Sequence, residues 1–488
     1  MSAPLEPAAG LDRSLVHGLT WSASGRWGGQ VLAWASTVVV ARLLSPRDYG
    51  LFAMGGVLFG LITLLNEFGL GAAIVRHHDL TADQIAQTGG LSVLFGCAGF
   101  AVTCAAAAPL AWFFRQPELY LVTLAVSLNY LVTSFRTVPL ALLQRDLKFR
   151  QVAVNDFVQT AVLAGASVFF AVLGFHYWTL ILASILGATI STFLAVRAAP
   201  HRLAWPRTAD IGGVVRFGGS VAVSRLGAYV VANTDAVVVG RRIGNTALGD
   251  YRIASTLASL PIDKITSTVT QVMIPIFSAV QKDPPALRRF LLMVTEGLAL
   301  ITWPIAIGAG LLADLLVRVV LGAHWMGAIG SLRILAFAAV IRCVSPLYSP
   351  LLFVRGRSDV VMRVSIVQTV LVPVAFLIGS TWGVTGVAMG WAITVPIIVA
   401  PMLWFVLRET SLGLGGYAGA LRPAATGCLA MTAVVLALRT VLLSHLHQTT
   451  GFIALVLAGA ATYTTTILTF HGERVRQVRE ALRQLRIG

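Results

Sequence analysis

The sequence predicts an all-α protein that crosses a membrane many times. Hydrophobic residues make up 57% of the 488 residues and charged residues only 11%, whereas soluble domains usually have about 25% charged residues. Apolar stretches of the length that a bilayer requires, about 20 residues each, follow one another almost from end to end. Two further observations refine this fold class: a motif that recurs in the second half of the chain, and polar residues that lie within the apolar stretches.

About fourteen transmembrane helices are predicted from these stretches, with twelve as the alternative. The predicted spans are 18–41, 50–74, 88–113, 119–142, 151–173, 178–197, 214–240, 249–278, 287–312, 329–353, 360–380, 384–407, 422–440 and 451–470. Most basic residues fall on the same side of the membrane as the N-terminus, and basic residues mark the cytoplasmic side. We therefore expect an even number of helices with both termini cytoplasmic. Aromatic rings favour the interface, and the tryptophans at the opposite, external boundary are Trp112, Trp178, Trp325 and Trp382.

A motif near the N-terminus occurs a second time in the middle of the chain. The stretch from Arg26 to Gly50 recurs from Arg225 to Gly249 at a constant offset of 199 residues, and nine of its 25 positions are identical. The two copies open the first and the seventh predicted span, so the repeat is six helices long. An even number of helices restores the same orientation, which predicts parallel repeats related by an axis along the membrane normal.

The repeat predicts two lobes and a C-terminal extension. The N-terminal six-helix lobe covers residues 1–205, the C-terminal six-helix lobe covers 206–412, and residues 413–488 hold two additional helices and a basic cytoplasmic tail. A basic, proline-bearing segment, Pro200–Arg207, joins the two lobes. The tail from Glu473 to Arg486 has an apolar face with arginines around it, and it is either an interfacial helix or a solvated one.

Arginines inside apolar spans are the strongest functional signal. An arginine at the centre of a membrane helix costs about 2.5–3.5 kcal/mol on insertion scales, so it usually faces a cavity or a partner. Arg26 and Arg225 occupy equivalent positions in the two copies and are predicted to face a shared cleft. Arg136 in the fourth span, Arg252 in the eighth, and Gln30 on the same helical face as Arg26 are the further candidates for substrate binding.

Three carboxylates are candidates for coupling to an ion. Glu67 lies towards the inner end of the second span, Asp235 in the seventh and Asp263 in the eighth. The alternative for each carboxylate is pairing with a neighbouring arginine. The alternative for each candidate arginine near the cytoplasmic face, taken singly, is that its side chain snorkels to the membrane surface.

Several classes of function are disfavoured by what the sequence lacks. Lysine occurs only at positions 148, 264 and 282, and no Gly-Lys-Ser/Thr phosphate loop is present, so we expect no built-in ATPase. The four cysteines lie in apolar spans without Cys-x-x-Cys spacing, which indicates neither a disulfide framework nor a metal site. The basic residues follow the membrane topology rather than a nucleic-acid surface. The sequence therefore predicts no catalytic residues, no metal and no cofactor, and a protein that is not an enzyme.

Two segments resemble a known family. Ala41-Arg-Leu-Leu-Ser-Pro-Arg-Asp-Tyr-Gly-Leu-Phe-Ala53 with Asn66-Glu-Phe-Gly-Leu70, and the echo of this motif from Asp235 to Tyr251, are similar to Wzx-like polysaccharide flippases. These proteins form a branch of the multidrug/oligosaccharidyl-lipid/polysaccharide exporter superfamily. The likeness covers roughly residues 15–410. It implies two six-helix bundles in a V shape, usually with two added helices.

The resemblance also implies a function. Family members move an undecaprenyl-pyrophosphate-linked oligosaccharide across the bacterial cytoplasmic (inner) membrane by alternating access, for exopolysaccharide or lipopolysaccharide biosynthesis. A polysaccharide polymerase and a chain-length regulator are candidate protein partners, and nucleic acid is not. The family has no catalytic motif to carry over. The anionic pyrophosphate suits the bidentate fork of arginine, which agrees with the arginines placed above.

Three alternatives stay open from the sequence. A lipid II flippase shares the anionic headgroup and is disfavoured only by the motif likeness. A multidrug exporter of the same superfamily would need an acid-rich cleft for organic cations. Among the charged residues inside the predicted spans, however, arginine predominates over acidic residues. A non-transporting scaffold of a polysaccharide assembly complex belongs to a different class and has no need of polar faces inside its spans.

We expect the double substitution Arg26→Ala with Arg225→Ala to abolish polysaccharide export, because it removes both guanidinium groups predicted to hold the pyrophosphate. Polymer secreted by a flippase-null strain carrying the variant measures this effect. Normal export at a normal amount of membrane-inserted protein would contradict the role of the arginine pair.

Overall fold

The fold is given by a computed structural model, which describes residues 28–67, 69–77 and 79–484. Nearly all of these residues lie in α-helices, and they include no β-strand. Eight helices in this part of the chain are long and apolar enough to cross a membrane, and nine if the bent pair Glu118–Ser134 and Thr137–Arg145 counts as one span. The predicted all-α, multi-pass fold is confirmed, while the count of fourteen spans remains a prediction.

The first half of the chain forms helices α1 to α9. Their bounds are 28–43 for the described part of α1, Pro46–Glu67 (α2), Leu70–Arg76 (α3), Ala82–Phe114 (α4), Glu118–Ser134 (α5), Thr137–Arg145 (α6), Phe149–Val172 (α7), Trp178–Ala198 (α8) and Thr208–Arg242 (α9). Local sequence explains where they begin. The Thr81 side chain accepts from the N–H of Gln84 while the Gln84 side chain accepts from the N–H of Thr81, and this capping box starts α4.

The second half forms helices α10 to α18. Their bounds are Asn245–Ala279 (α10), Pro284–Leu311 (α11), Ala313–Leu316 (α12), Ala328–Arg342 (α13), Tyr348–Val354 (α14), Ser358–Gly379 (α15), Gly383–Glu409 (α16), Leu414–His445 (α17) and Gln448–Gln484 (α18). Asp283 caps α11 by accepting from the N–H of Ala286, and Pro284 follows at the first position, where its missing N–H costs nothing. Helix α18 bends at His471.

The helices form two compact units, one ending at Gly249 and the other beginning at Asp250. In the first unit, α4 packs against α5, α8 packs against α5 and α7, and α2 packs against α4, α5 and α9. Helix α9, which the repeat assigns to the second lobe, therefore belongs to the first unit. The lobe boundary at residues 205/206 stays a prediction from the repeat.

The segment between α8 and α9 is held against α4. The N–H of Ala204 donates to the carbonyl of Ala86 (3.0 Å), and the N–H of Arg207 donates to Oε1 of Gln87 (2.9 Å). A Cβ added at Gly90 would overlap the carbonyl oxygen of Ala204, so the glycine permits this close approach. The basic linker is thus packed against the first unit along part of its length.

Helix α11 is central to the second unit, where it packs against α13 and α17. The hydroxyl of Tyr463 in α18 donates to the carbonyl of Leu300 in α11 (2.7 Å). Asp314 in α12 forms ion pairs with Arg439 of α17 and Arg333 of α13. The two helices that lie outside the sequence repeat, α17 and α18, are therefore integral to the second unit.

Two glycines at the end of the repeated motif make reciprocal contacts. A Cβ added at Gly50 would overlap the carbonyl oxygen of Asn245, and a Cβ added at Gly249 would overlap the carbonyl oxygen of Pro46. The offset of 199 residues that relates Gly50 to Gly249 also relates Pro46 to Asn245. The first turns of α2 and α10 therefore cross at backbone distance, and the repeat makes the crossing symmetric.

We expect Gly50→Ala and Gly249→Ala each to destabilise the protein, because the group that a new Cβ meets is backbone and cannot rotate away. Overpacking of this kind costs about 1–3 kcal/mol. Thermal unfolding of the purified protein in detergent measures the loss as a lower midpoint temperature.

The matched control is Gly56→Ala, in the same helix, where a Cβ would meet nothing within 4 Å. It should leave the midpoint unchanged or raise it, since alanine favours a helix by up to about 1 kcal/mol over glycine. Equal midpoints for the Gly50 and Gly56 variants would contradict the crossing.

Candidate functional site

The first unit encloses a cavity of about 780 Å³ that is lined by residues of α2 to α8. This volume lies within the range of small-molecule binding sites, about 300–1,000 Å³. No carboxylate is among the described residues that line it. The polar lining residues are Thr63, Arg76, Ser92, Asn129, Tyr130, Thr133, Ser134, Arg136, Thr137, Gln144, Gln159 and Ser184.

Two helical spans are interrupted at the wall of this cavity. Helix α3 follows α2 after Gly69, whose φ of 60° is left-handed. Helix α6 follows α5 after Phe135 and Arg136, with a bend of 40°. The short helices α3 and α6 pack against each other, and both contribute to the cavity wall. Irregular backbone at membrane depth is tolerated where it lines a cavity or is buried in protein, so both breaks are expected at a site of this kind.

Proline explains the second break. Pro139 has no N–H, so it cannot donate to the carbonyl of Phe135 four residues earlier, and its ring clashes with that carbonyl in a regular helix. The chain adjusts by restarting at Thr137, in whose helix Pro139 falls within the first turn. The break sets Arg136 at the N-terminal boundary of α6, facing the cavity.

Arg136 is held in place by two neighbouring helices. Its Nη1 donates to Oε1 of Gln159 in α7 (2.7 Å) and to Oγ of Ser191 in α8 (3.0 Å). These partners fix the guanidinium group across the cavity wall, which gives a preorganised cation inside an apolar bundle. The predicted substrate-binding role of Arg136 is not tested by this geometry, but the residue does line the cavity.

The other polar groups supply both donors and acceptors. The hydroxyl of Thr63 donates to the carbonyl of Phe59 (2.8 Å) and that of Thr133 to the carbonyl of Asn129 (2.7 Å). A hydroxyl that has used its proton in this way still offers acceptor lone pairs. The Oε1 atom of Gln159 is occupied by Arg136, so this amide offers its NH2 donor. The lining therefore matches a ligand rich in hydroxyl groups, which both donate and accept.

Asn155 is a polar residue that the sequence analysis missed. It lies one turn before Gln159 on α7 and is 3% exposed, and neither amide atom has a hydrogen-bond partner among the described residues. A buried amide without a partner costs free energy unless water or a ligand reaches it. Its spacing of four residues from Gln159 could have marked the polar face of α7.

Three of the predicted site residues have side chains outside the described part of the chain. Arg26 lies outside the described residues. Arg225 falls within α9 and Glu67 ends α2, but the side chains of both lie outside the described part of the chain. The pairing of Arg26 with Arg225 therefore stays a prediction.

The remaining predicted residues do not join the cavity lining. Gln30 is half-buried on α1, and Arg252 is half-buried on α10, in the second unit. Asp235 is 4% exposed on α9, where its Oδ1 accepts from the N–H of Ala236 (2.7 Å). Of the four predicted arginines, Arg136 is the one whose described side chain lines the 780 Å³ cavity.

Asp263 forms an ion pair with Arg342 of α13, at 3.1 Å between Oδ1 and Nη2. Pairing with an arginine was the alternative to an ion-coupling role for this carboxylate. Arg342 ends α13 immediately before a second helix break, which contains Pro346 in a 3-10 turn. Arg136 and Arg342 thus both precede a proline at a helix break, and an arginine closely followed by proline in an apolar span is the signal that could have indicated these breaks from the sequence.

A sequence model of the family described as polysaccharide biosynthesis protein matches residues 39–330, more than half of the chain. The chain belongs to this family. Similar proteins include the lipopolysaccharide biosynthesis protein WzxC of Escherichia coli (strain K12), 25% identical over 417 residues, which are 83% of this chain and 82% of the relative. The succinoglycan biosynthesis transport protein ExoT of Rhizobium meliloti (strain 1021) is 24% identical over 405 residues, 82% of this chain and 81% of the relative. The predicted resemblance to Wzx-like proteins is confirmed.

The family assignment agrees with a likeness in fold. A solved structure of the lipid II flippase MurJ in an inward closed conformation matches with a TM-score of 0.76, covering 93% of this chain and 99% of that one. The sequences are 14% identical, so the match shows a common fold and no more. The chain therefore shares the fold of that structure, and its apolar helices are those of a multi-pass membrane protein.

We expect exchanging the charges of the Asp263–Arg342 pair to separate its two interpretations. Asp263→Arg or Arg342→Asp alone should impair function, because each places two like charges side by side where the unmodified protein has an ion pair. The double variant should recover at least half of wild-type polysaccharide export if the pair is structural. Failure of the double variant to recover, at normal protein level, would favour a specific ion-coupling role for Asp263.

Proposed function

We propose that the protein is a flippase that moves an undecaprenyl-pyrophosphate-linked oligosaccharide from the inner to the outer leaflet of the bacterial cytoplasmic membrane. The observation that carries the proposal is the polar lining of the 780 Å³ cavity within a bundle of apolar helices, in which the described residues include no carboxylate. Membership of the polysaccharide biosynthesis protein family supports the same substrate class. The moved lipid would supply exopolysaccharide or lipopolysaccharide biosynthesis.

The chemistry of the cavity supports a saccharide headgroup. Sugar hydroxyls donate and accept hydrogen bonds, and the lining offers hydroxyl acceptors beside amide and guanidinium donors. Arg136, oriented by Gln159 and Ser191, and Arg76, at the end of α3, provide positive charge for the pyrophosphate. Arginine suits phosphate oxygens because its planar fork makes two parallel charge-assisted hydrogen bonds.

The other predicted arginines complete the proposal. Arg26 and Arg225, with Gln30 beside the first, would hold the pyrophosphate from equivalent positions of the two repeats. Arg252 would add a further cation on α10. The proposal for these residues rests on the sequence pattern, since it is their periodicity and symmetry that single them out.

Transport rather than covalent chemistry is proposed, with both termini in the cytoplasm. An inside-negative potential favours outward movement of an anion by about 2.3 kcal/mol per charge per 100 mV. Asp235 and Glu67 remain candidates for coupling to an inward ion, whereas the ion pair of Asp263 with Arg342 favours a structural role there. A polysaccharide polymerase and a chain-length regulator are the proposed protein partners.

The composition of the cavity also separates the proposal from its rivals. A multidrug exporter for organic cations would need acidic groups in its site, and the described lining has none. A lipid II flippase shares the pyrophosphate headgroup, and the polysaccharide relatives favour the oligosaccharide substrate. A scaffold has no need of a preorganised arginine inside a cavity.

We expect Arg136→Gln to reduce polysaccharide export about tenfold or more, because each charge-assisted hydrogen bond to the headgroup contributes about 1.5–3 kcal/mol. The experiment is complementation of a flippase-null strain, with lipid-linked sugars quantified separately in the two leaflets. The lipid-linked intermediate should accumulate on the cytoplasmic side.

Arg197→Gln is the matched control. Arg197 lies on α8, as Ser191 does, but is exposed beside Phe193 and does not line the cavity. It should export at the wild-type level. Equal export by the two variants would remove Arg136 from the site, and drug hypersensitivity without accumulated lipid-linked sugar would favour the exporter.

A further inference from the structure

A second cavity lies in the first unit where α4 ends. Its volume is about 450 Å³. The topology proposed above puts this end of α4 on the external side of the membrane. The lining residues are Ala111, Trp112, Arg115, Gln116, Pro117 and Arg241. Neither the family assignment nor the proposed headgroup cavity accounts for it.

The fold brings two arginines to this cavity. Helix α4 ends at Phe114, and Arg115 follows in the left-handed region with a φ of 56°, which is uncommon for a residue other than glycine. Arg241 comes from the last turn of α9. Gly240 allows the two helices to approach, since a Cβ there would lie 2.8 Å from the ring of Phe114.

The guanidinium group of Arg241 is oriented but incompletely bonded. Its Cζ lies 5.3 Å from the centre of the Phe113 ring, a distance at which a cation interacts with the aromatic face. Its Nη1 is buried and has no hydrogen-bond partner among the described residues. A buried charged donor without an acceptor is costly, so an acceptor from outside the chain would stabilise this arrangement.

Gln116 adds a third donor. Its Oε1 accepts from Nδ2 of Asn245 in α10 (3.1 Å), so the group it can still offer is the amide NH2. The nearest acidic residue along the chain, Glu118, forms an ion pair with Arg47 and is not part of the lining. The polar side chains of this cavity therefore offer donors, in contrast to the mixed lining of the 780 Å³ cavity.

We propose that this donor-lined cavity binds the phosphate group of a lipid headgroup on the external side of the membrane. Phosphate oxygens are acceptors that carry negative charge, and two arginines with an amide match them. The side chain of Trp112 is largely exposed beside the cavity, as is typical of residues at headgroup depth. The proposal rests on the proposed function for its membrane orientation. The phosphate belongs either to the transported pyrophosphate lipid or to a bilayer phospholipid.

The test uses the full-length protein in phosphatidylcholine nanodiscs. Binding of three probes is measured: inorganic pyrophosphate, farnesyl pyrophosphate and phosphatidylglycerol. The Arg136→Gln background is used so that binding in the larger cavity does not mask the result. Arg115→Gln and Arg241→Gln should each weaken probe binding about tenfold or more, as expected for the loss of a charge-assisted contact.

Arg318→Gln is the matched control, since Arg318 is an exposed arginine in the second unit and does not line this cavity. It should bind every probe as the background protein does. Arg241→Lys keeps the charge without the planar fork and should show an intermediate loss, which a folding defect would not produce. Thermal unfolding midpoints are recorded for the same samples.

The three probes distinguish the two sources of phosphate. Weaker binding of both pyrophosphates supports the transported lipid as the ligand, and weaker binding of phosphatidylglycerol alone supports a bilayer phospholipid. Unchanged binding of all three probes in both glutamine variants overturns the proposal. That result leaves the flippase function intact if Arg136→Gln still reduces export about tenfold or more, so the two failures are distinguishable.

Discussion

The constraint on which the site depends is that a polar group inside an apolar bundle must find its partners within the protein. Pro139 interrupts the α5–α6 span, and the interruption is tolerable because it faces the cavity rather than lipid. Arg136 at the break then takes its partners from α7 and α8. Pro139 thereby explains where the helix bends, and the bend lies at the cavity wall beside Arg136.

The arginines beside the two proline-containing breaks have different partners in the two halves of the chain. Arg136 and Arg342 both precede a proline-containing break, but the first donates to neutral partners, Gln159 and Ser191, whereas the second pairs with Asp263. Among the described contacts, the first guanidinium group is therefore oriented by neutral side chains and the second by a carboxylate.

The sequence predicted the helical fold well because hydropathy is a local property, and it identified Arg136 because an arginine in an apolar span is conspicuous. It could not predict partners, since Arg136 reaches Ser191 and Arg342 reaches Asp263 across 55 and 79 positions of the chain. Helical periodicity indicates which face of its helix a residue occupies. It does not indicate which other helix packs against that face. The break at Gly69 was missed because apolar residues resume after Asn66 and Glu67, so the predicted span 50–74 runs across it.

The reciprocal glycines link the repeated motif to the cavity through a single helix. Helix α2 carries Gly50 at its crossing with α10 and Phe59 at the cavity wall, nine positions or about 14 Å further along. Between them, the hydroxyl of Tyr229 in α9 donates to the carbonyl of Val57 (2.7 Å). The close approach of a carbonyl oxygen to each glycine gives this position of the motif a steric reason to be identical in both copies, independent of any contact with substrate.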